Sequence, residues 1–200
     1  MKLLLFSDLH CDVEAARRLV ERSRAVDVIV GAGDFGSVRR GVSSCTEVLS
    51  AIQCPAVLVA GNNESPEELR EACRAWPQAH VLHGSGLTVQ GLPFYGLGGG
   101  VPVTPFGAWS YDLTEEEAAL LLKDCPPGGV LVSHSPPRGA VDRGSGGESL
   151  GSTAVRDAII RTQPRLVVCG HVHASAGQHG LIGGTAVVNA GPGGMEWELE

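Results

Sequence analysis

Seven side chains able to hold a cation stand at the ends of five apolar runs. Asp8 and His10 close MKLLLFSDLH, Asp34 closes VDVIVGAGD, and Asn62 follows PAVLVAG; His134 follows GVLVS, and His171 and His173 end LVVCGHVH. The donors are carboxylate, amide and imidazole, without thiolate. Such a set suits Mn first, with Fe, Zn, Co or Ni able to substitute, and suits Ca, Mg or Cu(I) poorly. Seven donors are too many for one tetrahedral ion and fit two divalent ions that share a carboxylate.

Each run is short, β-branched and apolar on both faces, as in central strands of a covered, largely parallel sheet. Ligands of such sheets gather beyond the carboxyl ends of the strands, so five strand ends would deliver one cluster of donors. In an extended chain residues two apart point the same way, which would let Asp8 and His10 close on one ion.

Helices are predicted between the strands. Asp12 reads as the N-cap of one carrying Ala15, Leu19 and Arg22. A second is expected near residues 42–52, and a third from the Ser65–Glu68 capping box to about Trp76, where Pro77 stops it. Residues 79–97 alternate between Gly punctuation and read as antiparallel strands of a second sheet, with His80 and His83 structural. The Pro/Gly-rich loop 98–112 carries Phe106, Trp109 and Tyr111, and is expected to wall a substrate entrance, with Trp109 in contact. Thr114 to Glu117 opens another capping box, and a helix is expected from about Ser152 to Thr162. The segment after His134 places Arg138 and Arg143 where they could reach a phosphate. Two strands close the chain, and His179 reads as a loop residue. The alternation of strand and helix, then meandering strands, predicts a layered α/β sandwich formed as a single domain over residues 1–200.

The formal net charge of −7 argues against a nucleic-acid backbone or an anionic membrane as the main partner. Six Cys without a C-x-x-C pair, and an opening apolar run too short for a secretory signal, point to a reduced, cytoplasmic protein. Composition does not set the oligomeric state.

Taken together, the motifs resemble those of the calcineurin-like metallophosphoesterase superfamily, whose signature runs D-x-H, G-D-x-x-D, G-N-H-[DE], H, G-H-x-H. The matches are Asp8-Leu9-His10, Gly33-Asp34, Gly61-Asn62-Asn63-Glu64, His134 within SHSPP, and Gly170-His171-Val172-His173. The match runs from Lys2 to about Gly194, and the small size and SHSPP resemble the compact Icc-like branch. The resemblance implies a four-layer αββα sandwich of two mixed sheets flanked by helices, with the metal site at strand C-terminal ends. It implies that Asp8, His10 and His173 hold one metal, that Asn62, His134 and His171 hold the other, and that Asp34 bridges.

It also implies hydrolysis of phosphodiester or phosphomonoester bonds by metal-bound hydroxide, with Asp34, Asn62, Asn63 and His134 in the reacting centre. Asn62, Asn63, Arg138 and Trp109 are the candidate contacts to a small phosphorylated substrate. Two positions depart from the protein-phosphatase branch. Ser37 stands where the second Asp of G-D-x-x-D belongs, and Asn63 where the His of G-N-H acts as general acid. Protonation of the leaving group is therefore the step the departures touch. The alternative function is a non-catalytic scaffold of this fold, as in the retromer complex; a nuclease is disfavoured by the acidity.

Overall fold

Alternate residues of each central strand feed two different cores, and this decides the layering. The computed structural model describes residues 1–199. In β1 (Lys2–Phe6), Leu3 and Leu5 face one core while Leu4 and Phe6 face another. The remaining elements are α1 (Val13–Arg22), β2 (Val28–Ala32), α2 (Val42–Leu49), β3 (Ala56–Val59), α3 (Pro66–Ala72), β4 (Ala79–Val81), β5 (Ser85–Val89), β6 (Leu92–Leu97), α4 (Glu115–Leu122), β7 (Val130–Ser133), α5 (Thr153–Thr162), β8 (Leu166–Cys169), β9 (Gln178–Ile182), β10 (Thr185–Asn189) and β11 (Met195–Glu198).

Five strands form one sheet in the order β11-β1-β2-β3-β4, and six form the other in the order β5-β6-β7-β8-β10-β9. Both sheets are mixed. The inner strands run parallel, while β11 pairs antiparallel with β1, and β5 and β9 pair antiparallel at the two edges of the larger sheet. Leu3, Leu5, Val28, Val30 and Val57 of the first sheet meet Phe94, Val130, Val132, Leu166 and Val168 of the second in a central core. The outer face of the first sheet packs on α1, α2 and α3 through Leu4, Phe6, Leu19, Cys45, Leu49 and Leu69. The outer face of the second packs on α4 and α5 through Leu131, Val167, Leu122, Val155 and Ile159. Each such side chain contributes about 1.5–3 kcal/mol when fully buried. The result is the expected αββα sandwich.

Helix starts follow the sequence. Asp12 Oδ1 accepts the Ala15 N–H at 2.9 Å, Ser65 and Thr114 complete capping boxes with Glu68 and Glu117, and Ser152 caps α5. Each cap stabilises its helix by about 1 kcal/mol. All six Cys are free.

Two strand expectations change. Residues 79–81 do not join the second sheet but extend the first, parallel to β3. Three residues carry too little pattern to encode a partner, and the return from α3 places them beside β3. His179 lies on β9, antiparallel to Val188, and not in a loop. The two closing strands, β10 and β11, lie in different sheets, and the segment between Asn189 and Met195 crosses from one layer to the other.

Candidate metal centre

The strands stop just short of the donors, and the backbone then bends hard. Asp8, His10, Asp34 and His171 all have left-handed backbones, with φ of 56°, 45°, 58° and 66°. The expected extended D-x-H is therefore replaced by a tight turn after Phe6. Non-glycine residues in this region are strained by about 1–3 kcal/mol each and cluster where surrounding contacts over-determine them.

Those contacts are explicit. Glu64 is fully buried, and its carboxylate accepts N–H bonds from Asp34, Phe35 and Gly36 at 2.9, 3.3 and 3.0 Å and from Gly61 at 2.8 Å. It thereby ties the turn carrying Asp34 to the turn carrying Asn62. Burial, and then the charge of Asp34, push its pKa up to about 7, against the backbone donors. Because all four of these partners are donors, the ionised carboxylate is the form that fits. Glycine is required where the two turns touch: a Cβ on Gly61 would lie 1.9 Å from Asp34 Oδ1.

The donors converge in two groups that share Asp34. In one, donor atoms of Asp8, His10, Asp34 and His173 all lie within 4.8 Å of one another. His10 Nε2 is 3.1 Å from His173 Nε2 and 3.6 Å from Asp34 Oδ2, and His173 Nε2 is 3.6 Å from Asp8 Oδ1. In the other, His134 Nε2 is 3.2 Å from Asn62 Oδ1, 3.2 Å from His171 Nδ1 and 3.5 Å from Asp34 Oδ1, and His171 Nδ1 is 3.1 Å from Asn62 Oδ1. Donors held about 2.1 Å from one ion stand roughly 3.0–3.4 Å apart; the second group, at 3.1–3.5 Å, lies close to that spacing, and the first is looser.

Hydrogen bonding away from the centre fixes which atoms face inward. His134 Nδ1 lies 2.7 Å from the Ala32 carbonyl and His10 Nδ1 lies 3.2 Å from that of Gly36. The proton of each ring is thereby assigned to Nδ1, leaving an Nε2 lone pair toward the centre. The Asn62 amide donates through Nδ2 to Ser110 Oγ at 2.9 Å, so its Oδ1 also points in. When the His134 ring is neutral, its Nε2 and Asn62 Oδ1 are two acceptors at 3.2 Å with no proton between them. That arrangement suits a cation and not a hydrogen bond, so the donor set fits divalent metal.

Charge agrees. Burial would raise Asp8, but hydrogen bonds from His173 and Ser7 and the neighbouring imidazoles hold it down at about 2. Burial, followed by His134, pushes His171 down to about 3, leaving a neutral ligand. The hydrogen bond to Asp8 raises His173. Burial alone would lower His134, yet the carboxylates of Asp34 and Asp8 outweigh it and raise it. A proton and a metal compete for the same lone pair, and the same negative potential draws both.

Above the donors lies a hollow of 280 Å³ lined by His10, Asp34, Asn62 and His173 on its floor and by Ser37, Asn63, Phe106 and Trp109 at its sides. The Phe106 and Trp109 rings stack, centroids 5.7 Å apart. Loop 98–112 thus brings Phe106 and Trp109 beside the donors. Asn63, expected to face substrate, has most of its amide engaged: Nδ2 donates to Asp34 Oδ2 at 2.7 Å and Oδ1 accepts the Val38 N–H at 2.7 Å. In this arrangement it orients the shared carboxylate. Arg138 lies outside this hollow, in a neighbouring groove. His80 is exposed on β4, and His83 accepts the Gly98 N–H and meets the Tyr111 ring edge-on.

Three supporting residues escaped the sequence reading. Glu64 is visible in the G-N-N-E motif, but nothing there reveals that it clamps two turns. Ser110 and Asp112 form a relay, Asn62 Nδ2 to Ser110 Oγ and Ser110 Oγ to Asp112 Oδ1 at 2.8 Å, which no local pattern announces.

A two-sheet sandwich with this donor set at its strand ends defines a class, and comparison agrees. The chain belongs to the calcineurin-like phosphoesterase superfamily, whose domain profile matches residues 1–199. No curated protein matches it in sequence. Among solved structures it is similar in fold to TT1561 of Thermus thermophilus, at 21% identity and a TM-score of 0.75, covering 95% of this chain and 88% of that one. It is similar also to a dimetal phosphatase from Danio rerio, at 14% identity and a TM-score of 0.65, covering 94% and 86%. A third likeness is to a phosphopantetheinyl hydrolase from Mycobacterium tuberculosis, at 15% identity and a TM-score of 0.61, covering 95% and 88%. Among the described residues no helix is long and apolar enough to cross a membrane.

Proposed function

We propose that this protein is a dinuclear, metal-dependent phosphoesterase acting on a small phosphorylated substrate, with Mn as the preferred ion. The observation that carries the reading is the pair of donor groups sharing Asp34, one of them close to coordination-shell spacing and the other gathered within 4.8 Å. Asp8, His10 and His173 would hold one ion, Asn62, His134 and His171 the other, and Asp34 both. When bound, two divalent ions supply charge neutralisation for phosphate oxygens and acidify water at neutral pH.

The chain's own residues do the rest. Glu64 and Asn63 fix Asp34, and the Ala32 and Gly36 carbonyls fix the imidazoles. Phe106 and Trp109 flank the hollow and offer an apolar wall to whatever is carried on the phosphate. The test is turnover of bis(p-nitrophenyl) phosphate and p-nitrophenyl phosphate by Mn-loaded protein, with His171→Ala as control. Metal-dependent turnover that disappears in the variant supports the reading. Absence of turnover together with absence of Mn binding would refute it.

A further inference from the structure

Next to the metal hollow lies a larger groove of 390 Å³, between residues 102–106 on one side and 148–151 on the other. That volume is within the range of small-molecule sites. Phe106 and His171 border both spaces, so the groove opens directly off the centre where a phosphate would sit. Its walls are apolar and uncovered: Val103, Phe106 and Leu150 remain 59%, 51% and 44% exposed. Three of the seven large apolar side chains left exposed among the described residues therefore gather at this one place. Isolated exposed apolar residues need no explanation, but a group of them beside a site does.

The walls are also anchored. Thr104 N and Oγ1 donate to Asp112 at 2.9 and 2.6 Å, and Val101 N donates to Ser135 Oγ at 2.8 Å. Across the groove Leu150 N donates to the Asp142 carbonyl and Ser152 N to that of Pro136, both at 2.9 Å. A groove held open from both sides does not have to be ordered on binding. The polar groups of its walls are engaged, and the free ones stand at the rim. The Glu115 carboxylate caps α5 through Ser152 Oγ and the N–H groups of Thr153 and Ala154, which leaves Arg138 and Glu148 exposed at the rim. One face of Phe106 is taken by Trp109. Arg138 and Glu148 are charged groups at the mouth, whereas the walls between them and the metal hollow, the prolines, Val103 and Leu150, suit a flexible apolar chain.

We propose that this groove is a specificity subsite for an aliphatic group that stays esterified to the substrate's phosphate while the other ester bond of a diester is cleaved. The inference rests on the phosphoesterase reading of the neighbouring centre. The experiment is calorimetric titration of Mn-loaded protein with methyl-, butyl- and octylphosphonate, whose phosphonate would occupy the metals and whose chain would enter the groove. Affinity should rise along the series, by roughly 10–100-fold from methyl to octyl. Val103→Asp and Leu150→Asp, both at exposed positions away from the donors, should flatten the series while leaving methylphosphonate binding unchanged; Leu150→Ala should flatten it in part. Equal affinity for all three phosphonates would overturn the subsite and leave the phosphoesterase reading standing. Tighter binding of AMP than of octylphosphonate would overturn the aliphatic assignment. Failure of every phosphonate to bind, together with absence of turnover, would overturn both.

Discussion

The two halves of the donor cluster are built differently. The inner half, Asn62, His134 and His171, lies within the sandwich; the His134 side chain is completely buried, and Ala32 and Ser110 hold the outward ends of His134 and Asn62. The outer half is open, with the His173 side chain 64% exposed and the His10 side chain 29% exposed. The Asp8 carboxylate is buried, but the two imidazoles beside it are not. Preorganised ligands lose little freedom on binding, whereas mobile ones must be ordered. The inner half should therefore hold its ion more tightly, and the outer half should exchange. Asp34, buried between them and fixed by Asn63 and Glu64, couples the two.

The largest expected effect is at the shared residue. Asp34→Asn should lower turnover by about 10²–10³-fold or more, reduce bound Mn below two per chain, and leave the far-ultraviolet circular dichroism of the folded protein in place. Full activity with two bound ions would break the picture of a shared ligand.

The open half also lacks a proton donor. Apart from the candidate metal ligands, the hollow is lined by Ser37, Asn63, Phe106 and Trp109, none of them an acid at neutral pH. General acid catalysis is worth about 10²–10⁴-fold, chiefly for basic leaving groups. A plot of log kcat/KM against leaving-group pKa should accordingly be steep, with aryl esters far better than alkyl esters. A shallow slope would mean that another group supplies the proton. His179 is a poor candidate for it, since it sits on β9 against the Trp197 ring.

The halves themselves can be compared by removing one imidazole from each. His134→Ala should abolish the tighter Mn site and, by leaving the Ala32 carbonyl without its partner, cost about 1–3 kcal/mol of stability. His10→Ala should keep that tight site, lose the weaker one, and change stability little. Equal loss in the two variants, measured by calorimetry and thermal melting, would remove the distinction.

The smallest effect should come from the relay behind Asn62. Ser110→Ala frees the amide to rotate, and metal affinity in the inner half should fall by about 10–100-fold. Ser110→Thr, which keeps the hydroxyl, should recover much of the loss. If neither variant alters affinity, the relay is packing alone.

Much of this was legible in the chain. Runs such as VDVIV and LVVC, apolar on both faces, specify strands covered on both sides, and the side chains that follow them specify donors at strand ends. The caps at Asp12, Ser65 and Thr114 were readable because a cap is a contact between residues three apart. Tertiary structure alone decided the rest. It assigned β4 to the first sheet and moved His179 from loop to strand, because pairing partners far apart in sequence leave no local mark. It turned Asp8 and His10 out of an extended path, because contacts from Gly33, Asp34 and Phe35 to the backbone of 8–11 outweigh local preference. It spent the Asn63 amide on Asp34 and Val38, and it set Ser110 behind Asn62 across 48 residues of chain. The type and order of the donors are written locally; their direction depends on partners that only the folded sandwich brings within hydrogen-bonding distance.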